Sequence, residues 1–166
     1  MSRAHSFAPV DDADAVVLIL GSMPGKASLA AGQYYAHPRN SFWPIMGELF
    51  GARPGLSYAE RLQVLKSSGI ALWDVIQTCI RPGSLDSAIL DEGMETNDFS
   101  GFFAQHPLVG HVCLNGQKAA RLFKKLVKPG LTARLEYHVL PSTSPAHAGR
   151  SYAAKLEAWS VLKRLG

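Results

Sequence analysis

The sequence predicts an α/β fold with three layers, α/β/α, around a central four-stranded parallel sheet. Four short apolar runs, at residues 15–20, 70–73, 111–114 and 137–140, are each followed by polar or turn-forming residues. Continuous apolar runs of this length are typical of strands buried on both faces. Segments with helical periodicity separate the runs, and such an alternation is typical of a parallel sheet covered by helices on both sides.

The helices between these strands have recognisable starts. Ser57 and Glu60 fit a capping box, in which each side chain binds the other residue's backbone N–H. Ser41 is expected to cap a helix that begins at Phe42. Further helices are predicted at residues 98–105, 117–126 and 152–165, the last with leucines and a tryptophan at the spacing of a core-facing stripe.

One compact domain is predicted for residues 1–166, because a chain of this length with 47% apolar residues suffices for a single core. No run approaches the roughly 18 apolar residues of a membrane helix, and no segment has the pattern of a secretory signal. We therefore expect a cytoplasmic protein that does not associate with membranes.

Basic residues are concentrated late in the chain. Lys and Arg total 17 against 13 Asp and Glu, and between residues 118 and 164 the acidic residues are Glu136 and Glu157. This distribution is compatible with binding to nucleic acid and equally with a solvated helix face.

The cysteines argue against a metal cluster built from thiolates. Cys79 and Cys113 each stand alone in an apolar setting. Two cysteines cannot form a zinc cluster or a four-cysteine iron–sulfur site, so both are interpreted as buried, reduced thiols. We expect no metal and no cofactor.

The loops that follow the predicted strands are the expected place for a functional site, because ligands of open parallel sheets bind beyond the carboxyl ends of the strands. Three of these loops carry motifs: Gly-Ser-Met-Pro-Gly at 21–25 with Tyr-Tyr-Ala-His-Pro-Arg-Asn-Ser-Phe-Trp at 34–43, Cys-Leu-Asn-Gly at 113–116, and Leu-Pro-Ser-Thr-Ser-Pro-Ala-His-Ala at 140–148. In this order they resemble the uracil-DNA glycosylase superfamily, and most closely its hypoxanthine-DNA glycosylase branch, the DNA-deoxyinosine glycosylases. The resemblance implies the fold of the uracil-DNA glycosylases. It also implies that the protein is a DNA repair enzyme, which initiates base excision on DNA containing deaminated bases.

Two positions depart from other branches of that superfamily. Met23 stands where several branches carry an Asp or Asn that positions the attacking water, and a thioether cannot do so. Ser142 stands where the uracil enzymes carry a histidine. The resemblance implies that Asn40 positions the attacking water instead. An amide can do this, because glycosidic cleavage passes through an oxocarbenium-like sugar and the water needs placement more than deprotonation. Asn40 is therefore a predicted catalytic residue, although it is also compatible with simply ending a loop before a helix. Ser142 is the second, expected to stabilise charge on the departing base or to bind a flanking phosphate.

The extruded base is expected to contact residues from two motifs. The amide of Asn115 offers a donor and an acceptor to the lactam edge that hypoxanthine, uracil and xanthine share, but because an amide can flip, Asn115 alone does not settle specificity. Tyr35 is the predicted stacking platform. A turn Asn and a core Tyr are the competing interpretations. The predicted base-binding set is Gly21, Ser22, Met23, Tyr35 and Asn115.

Contacts to the DNA itself are predicted in three loops. The segment 144–147 takes the place of the superfamily's loop that presses into the minor groove, but Ala146 is small and His147 is its only large side chain. Because this loop would insert only shallowly into the duplex, we expect the protein to prefer bases that are easily extruded, namely those in mispairs or in single strands. For His37 and Arg81, a role in shaping turns is the favoured alternative to a contact with DNA. The predicted DNA-binding residues are His37, Arg81, Ser144, Pro145 and His147.

The favoured function is a monofunctional, monomeric glycosylase that leaves an abasic site, because no lysine that could act as an amine nucleophile stands at a matched functional position. A mismatch-specific uracil-DNA glycosylase is an alternative, since residues 33–38 also resemble that branch, which however carries an Asn where this chain has Met23. A catalytically silent nucleic-acid-binding domain on the same fold is the alternative from another class. A Ser-His hydrolase is disfavoured because no Gly-x-Ser-x-Gly motif is present.

Overall fold

The computed structural model describes residues 3–80, 94–146 and 149–165. A four-stranded parallel sheet lies at its centre, with its strands in the order Ile70–Asp74, Val17–Gly21, His111–Asn115 and Glu136–Leu140. Each of the four predicted apolar runs forms one of its strands, so the predicted sheet is confirmed. The described strands are β1 (Arg3–His5), β2 (Val17–Gly21), β3 (Ile70–Asp74), β4 (Ile76–Ile80), β5 (Glu95–Thr96), β6 (His111–Asn115) and β7 (Glu136–Leu140).

Helices connect and cover the strands, and two of the predicted helices are divided. The segment predicted at 117–126 leaves α-helical geometry after Leu122 and continues as a π-helical turn, Phe123–Val127. The segment predicted at 152–165 breaks at Ser160, whose hydroxyl donates to the Glu157 carbonyl and competes with the helical backbone. The described helices are α1 (Lys26–Ala31), α2 (Phe42–Phe50), α3 (Tyr58–Ser67), α4 (Phe99–Gln105), α5 (Gln117–Leu122), α6 (Tyr152–Trp159) and α7 (Leu162–Leu165).

The two predicted helix caps have different outcomes. The Ser57 side chain accepts from the Glu60 N–H and the Glu60 side chain accepts from the Ser57 N–H, both at 3.2 Å, so the capping box is confirmed. The predicted cap by Ser41 is wrong, because its side chain makes no capping bond. Asn40 Oδ1 instead accepts from the Phe42 N–H at 2.9 Å. Ser41 already has helical dihedral angles, so the short side chain one residue earlier reaches the first helical N–H.

Apolar side chains from both faces of the sheet form two separate cores, which confirms the three-layer α/β/α class. Leu18 and Leu20 of β2 pack on one face with residues of α4 and α5, whereas Val17 and Ile19 pack on the other with residues of α2, α3 and α6. Successive strand residues point to opposite faces, so a run of apolar residues serves both cores. Cys113 is a buried free thiol as predicted, and burial raises its pKa to about 12. The Cys79 side chain lies outside the described part of the molecule.

A second, antiparallel sheet was not predicted. It has the order β1-β4-β5, and β4 follows β3 after the single residue Val75. The strands β1 and β5 have three and two residues, too few for a periodicity signal. Among the described residues, no helix combines the length and the apolar composition of a membrane span.

Candidate active site

Four loops meet at the edge of the parallel sheet where its strands end. Gly21 ends β2 and is the register partner of Asp74, which ends β3. Asn115 ends β6 and is the register partner of Leu140, which ends β7. All three motifs found in the sequence therefore border the same edge, with the loop after β3 beside them.

The turn after β2 is held closely against the end of β3. The carbonyls of Gly21 and Ser22 accept hydrogen bonds from the Val75 and Ile76 N–H groups at 2.8 and 3.0 Å. A Cβ atom on Gly21 would lie 2.6 Å from Asp74 Oδ1 and 3.1 Å from the Tyr35 hydroxyl. The position therefore requires glycine, because the space beside it is filled by two polar side chains.

Asp74 is a site residue that the sequence reasoning missed. Its side chain is buried, with 3% exposure, at the carboxyl end of β3, where both Asp74 Oδ1 and the Tyr35 hydroxyl approach Gly21. Burial, reinforced by the negative charge of Asp74, raises the pKa of Tyr34. The signal that could have identified Asp74 is its place directly after a buried apolar strand, where a carboxylate is unusual without a specific environment.

Tyr35 has the left-handed backbone conformation, with φ of 56°. This conformation is uncommon for a residue with a bulky side chain and is often found at functional sites. Its ring stacks on Phe42, with 4.1 Å between ring centroids. The preceding Tyr34 is fixed from two sides, since its hydroxyl donates to the Ala8 carbonyl and its own carbonyl accepts from the Trp43 indole N–H, each at 2.9 Å. The loop therefore holds the Tyr35 ring with one face covered by Phe42.

Asn40 and His37 form a compact turn before α2. The Asn40 N–H donates to the His37 carbonyl at 2.9 Å, and His37 Nδ1 accepts from the Arg39 N–H at 3.0 Å. A neutral His37 with Nδ1 as acceptor carries its proton on Nε2, which is then a donor. The bond from the Phe42 N–H occupies one of the two lone pairs of Asn40 Oδ1.

Asn115 and Thr143 make two reciprocal hydrogen bonds in a buried position. Asn115 Nδ2 donates to Thr143 Oγ1, and the Thr143 N–H donates to Asn115 Oδ1, both at 3.0 Å. A backbone N–H can only donate, so it fixes which end of the amide carries the oxygen. The flipped orientation of the Asn115 amide is thereby disfavoured. Thr143, which lies inside the third motif and is 1% exposed, was given no role from the sequence.

The loop after β7 is shaped by its serines and tied to the first loop. Ser142 Oγ accepts from the Ser144 N–H at 3.1 Å and Ser144 Oγ accepts from the Ala146 N–H at 3.2 Å. The Thr143 carbonyl accepts from the Ser41 N–H at 3.0 Å, which joins the third motif to the residue next to Asn40. Pro145 is half-buried in this loop.

The structure thus brings most of the predicted site residues to one sheet edge, with two qualifications. Met23, at 6% exposure, packs in the apolar core on the α4 and α5 face. Arg81 and His147, both predicted to contact DNA, lie outside the described residues.

Gly116 is essential to the contact between the second and third motifs. Its φ is 96°, and a Cβ atom there would lie 2.9 Å from the Cβ of Ser142. We expect Gly116→Ala to lower the free energy of unfolding by about 1–3 kcal/mol, because alanine strains the left-handed backbone and pushes Ser142 away. Denaturant unfolding would measure this loss. Gly55→Ala is the control, since Gly55 has open space around it and should tolerate a methyl group.

Comparisons with known proteins give similarities that extend far beyond the three motifs. Residues 8–163 match a family model described as "Uracil DNA glycosylase superfamily". A Methanosarcina acetivorans protein named hypoxanthine DNA glycosylase is 40% identical over 144 residues, which covers 86% of this chain and 87% of that protein. A Methanosarcina barkeri protein of the same name is 36% identical over 159 residues, 95% of this chain and 96% of that one. The solution NMR structure of an M. acetivorans protein matches with a TM-score of 0.81 at 37% identity, covering 99% of each chain.

Proposed function

We propose that this chain, which belongs to the uracil DNA glycosylase superfamily, is a monofunctional DNA glycosylase that removes hypoxanthine from DNA. Two similar proteins carry the name hypoxanthine DNA glycosylase. The observation that carries the proposal is the reciprocal pairing of Asn115 with Thr143, because in it one amide binds an N–H donor and an oxygen acceptor side by side. A lactam edge offers these same two groups.

Thr143 presents to Asn115 what hypoxanthine would present. A hypoxanthine edge offers a ring N–H and an adjacent carbonyl oxygen, and Thr143 offers a backbone N–H and a hydroxyl oxygen. We infer that the extruded base takes the place of Thr143 on the amide of Asn115. Adenine offers the reverse arrangement, an acceptor ring nitrogen beside an amino donor, so it would need the flipped amide.

Hydrolysis then needs a placed water molecule. Water adds to C1′ of the deoxyribose and loses a proton to solvent, while the C1′–N9 bond breaks and its electron pair leaves with the base, which takes up a proton. We propose that the second lone pair of Asn40 Oδ1 accepts a hydrogen bond from this water, the first being occupied by the Phe42 N–H. Ser142 keeps its hydroxyl proton for donation, because its oxygen accepts from the Ser144 N–H. That proton would stabilise negative charge on the departing base.

The remaining predicted contacts hold base and strand. Tyr35 would stack on the extruded base with the ring face opposite Phe42, next to the buried turn formed by Gly21, Ser22 and Met23. His37 Nε2 would donate to a phosphate, since its Nδ1 is occupied. Further DNA contacts are proposed for Arg81, Ser144, Pro145 and His147. The chemistry requires no metal or cofactor, and we propose that the enzyme acts as a monomer in the cytoplasm.

The proposal predicts which base is released, and from which context. Oligonucleotides carrying hypoxanthine, uracil or xanthine are incubated with the protein, and abasic sites are detected by alkaline cleavage. We expect hypoxanthine to be released fastest, and faster from a mispair or a single strand than from a stable pair, because the small Ala146 is a poor wedge. An undamaged oligonucleotide is the control.

Other outcomes would contradict the proposal in distinct ways. Release led by uracil opposite guanine would favour the mismatch-specific alternative. DNA binding without release of any base would favour the silent binding domain. Equal rates of hypoxanthine release from stable and mispaired duplexes would contradict the shallow-wedge prediction alone.

A further inference from the structure

We propose that His111, Glu136 and His138 form a binding site for one divalent transition-metal ion of the zinc class, at the opposite end of the parallel sheet from the candidate active site. His111 begins β6, Glu136 begins β7, and these two residues are register partners. His138 follows Glu136 by two positions, so both side chains project from the same face of β7. One ligand atom from each of the three residues lies within 4.8 Å of the others.

The two distances from His111 suit a tetrahedral ion. His111 Nδ1 lies 3.2 Å from His138 Nε2 and 3.5 Å from Glu136 Oε2. Ligands at typical Zn–N and Zn–O distances in a tetrahedron are about 3.3–3.5 Å apart. These two separations therefore match the edges of such a tetrahedron, and the third pair of ligand atoms lies within 4.8 Å.

Hydrogen bonds among the three side chains cannot pair all of their facing atoms at once. If His111 Nδ1 carries a proton, that proton must be shared between His138 Nε2 and Glu136 Oε2. If Nδ1 accepts from His138 Nε2–H, its single lone pair is used there and Glu136 Oε2 receives no proton from it. A divalent ion would instead accept a lone pair from all three atoms.

The ligand set determines which ions fit and what they would do. Two imidazole nitrogens and a carboxylate oxygen suit Zn²⁺, with Ni²⁺ and Cu²⁺ as competitors, and are poorly suited to Mg²⁺ or Ca²⁺. The Glu136 side chain is 74% exposed, so solvent could supply the fourth ligand. Asn115 lies four residues beyond His111 on β6, a distance of about 13 Å. The ion would therefore join β7 to β6 and take no part in base release.

The test measures binding to the full chain after chelator treatment and dialysis. Isothermal titration with Zn²⁺ is expected to give one ion per chain, with a rise in Tm on adding the ion. Co²⁺ is expected to give the visible absorption of tetrahedral coordination. His138→Ala should abolish binding, and Glu136→Gln, at an exposed position that does not endanger folding, should weaken it at least about tenfold. His5→Ala, at an exposed histidine outside the cluster, is the matched control.

Either of two outcomes would overturn the site: a wild-type chain that binds no Zn²⁺ saturably, or a His138→Ala chain that binds it as the wild type does. Base release assayed with zinc and with chelator is expected to be equal. The metal site and the proposed glycosylase activity can therefore fail independently of each other.

Discussion

Replacing Asn40 by alanine is expected to slow base release about 100- to 1,000-fold while DNA binding persists. The physical reason is that the water loses the group that places it against C1′, whereas Asn40 itself is not proposed to hold the DNA. Single-turnover rates on a hypoxanthine oligonucleotide, with enzyme in excess, would isolate this step. Binding of the same oligonucleotide measured separately would show whether affinity is retained.

The control must separate catalysis from helix capping, since Asn40 Oδ1 also caps α2 through the Phe42 N–H. Loss of that cap alone costs about 1 kcal/mol of stability, and it would appear in denaturant unfolding. Asn40→Asp keeps an acceptor for the cap and for the water, so it should be as stable as the wild type and retain more activity than the alanine variant. If Asn40→Ala releases base at the wild-type rate once folded, Asn40 has only a structural role.

The second large effect is expected at Asn115. Asn115→Ala removes the amide that would bind the base and leaves the buried Thr143 N–H without its acceptor. We expect about a 100-fold loss of release for every lactam base, together with a stability loss of about 1–3 kcal/mol. Release from all three lactam bases would be compared per folded molecule. Unchanged release of each would exclude the role in base recognition.

Thr143→Val distinguishes two roles of Asn115, recognition of the base and attachment of the loop after β7, by whether KM falls. The substitution keeps the backbone N–H and the approximate shape but removes the hydroxyl acceptor from Asn115 Nδ2. If the base displaces Thr143, the weakened competitor should lower KM. If Asn115 serves only to clamp the loop, the variant should lose kcat without a gain in affinity. Thr143→Ser, which keeps the hydroxyl, is the matched control.

The central sheet could be predicted because buried parallel strands leave a strong signal in the sequence. Val17, Leu18, Ile19 and Leu20 are apolar without interruption because they serve cores on both faces. The strand β5, with two residues, leaves no such signal and was missed. The cap before α2 was assigned to Ser41, because residue preference does not reveal that this residue is already helical.

Candidate site residues could be predicted where they stand in a sequence motif. They could not be predicted where their role depends on a contact with a residue distant in the sequence. Asn40 and Asn115 stand in recognisable motifs, whereas the partner of Asn115 is 28 positions away. Nothing local to Thr143 indicates that its N–H and hydroxyl face an amide on another strand. Asp74 was passed over because its significance depends on Gly21 and Tyr35, which approach it only in the folded chain.

The left-handed backbone of Tyr35 has an energetic cost that glycine would avoid. Glycine would adopt φ of 56° without strain, so Tyr35→Gly would relieve about 1–3 kcal/mol at that backbone position. It would also remove the ring that stacks on Phe42, and with it the aromatic face on which an extruded base could rest. The ring that offsets this backbone strain by packing on Phe42 is therefore the same ring that base excision would use.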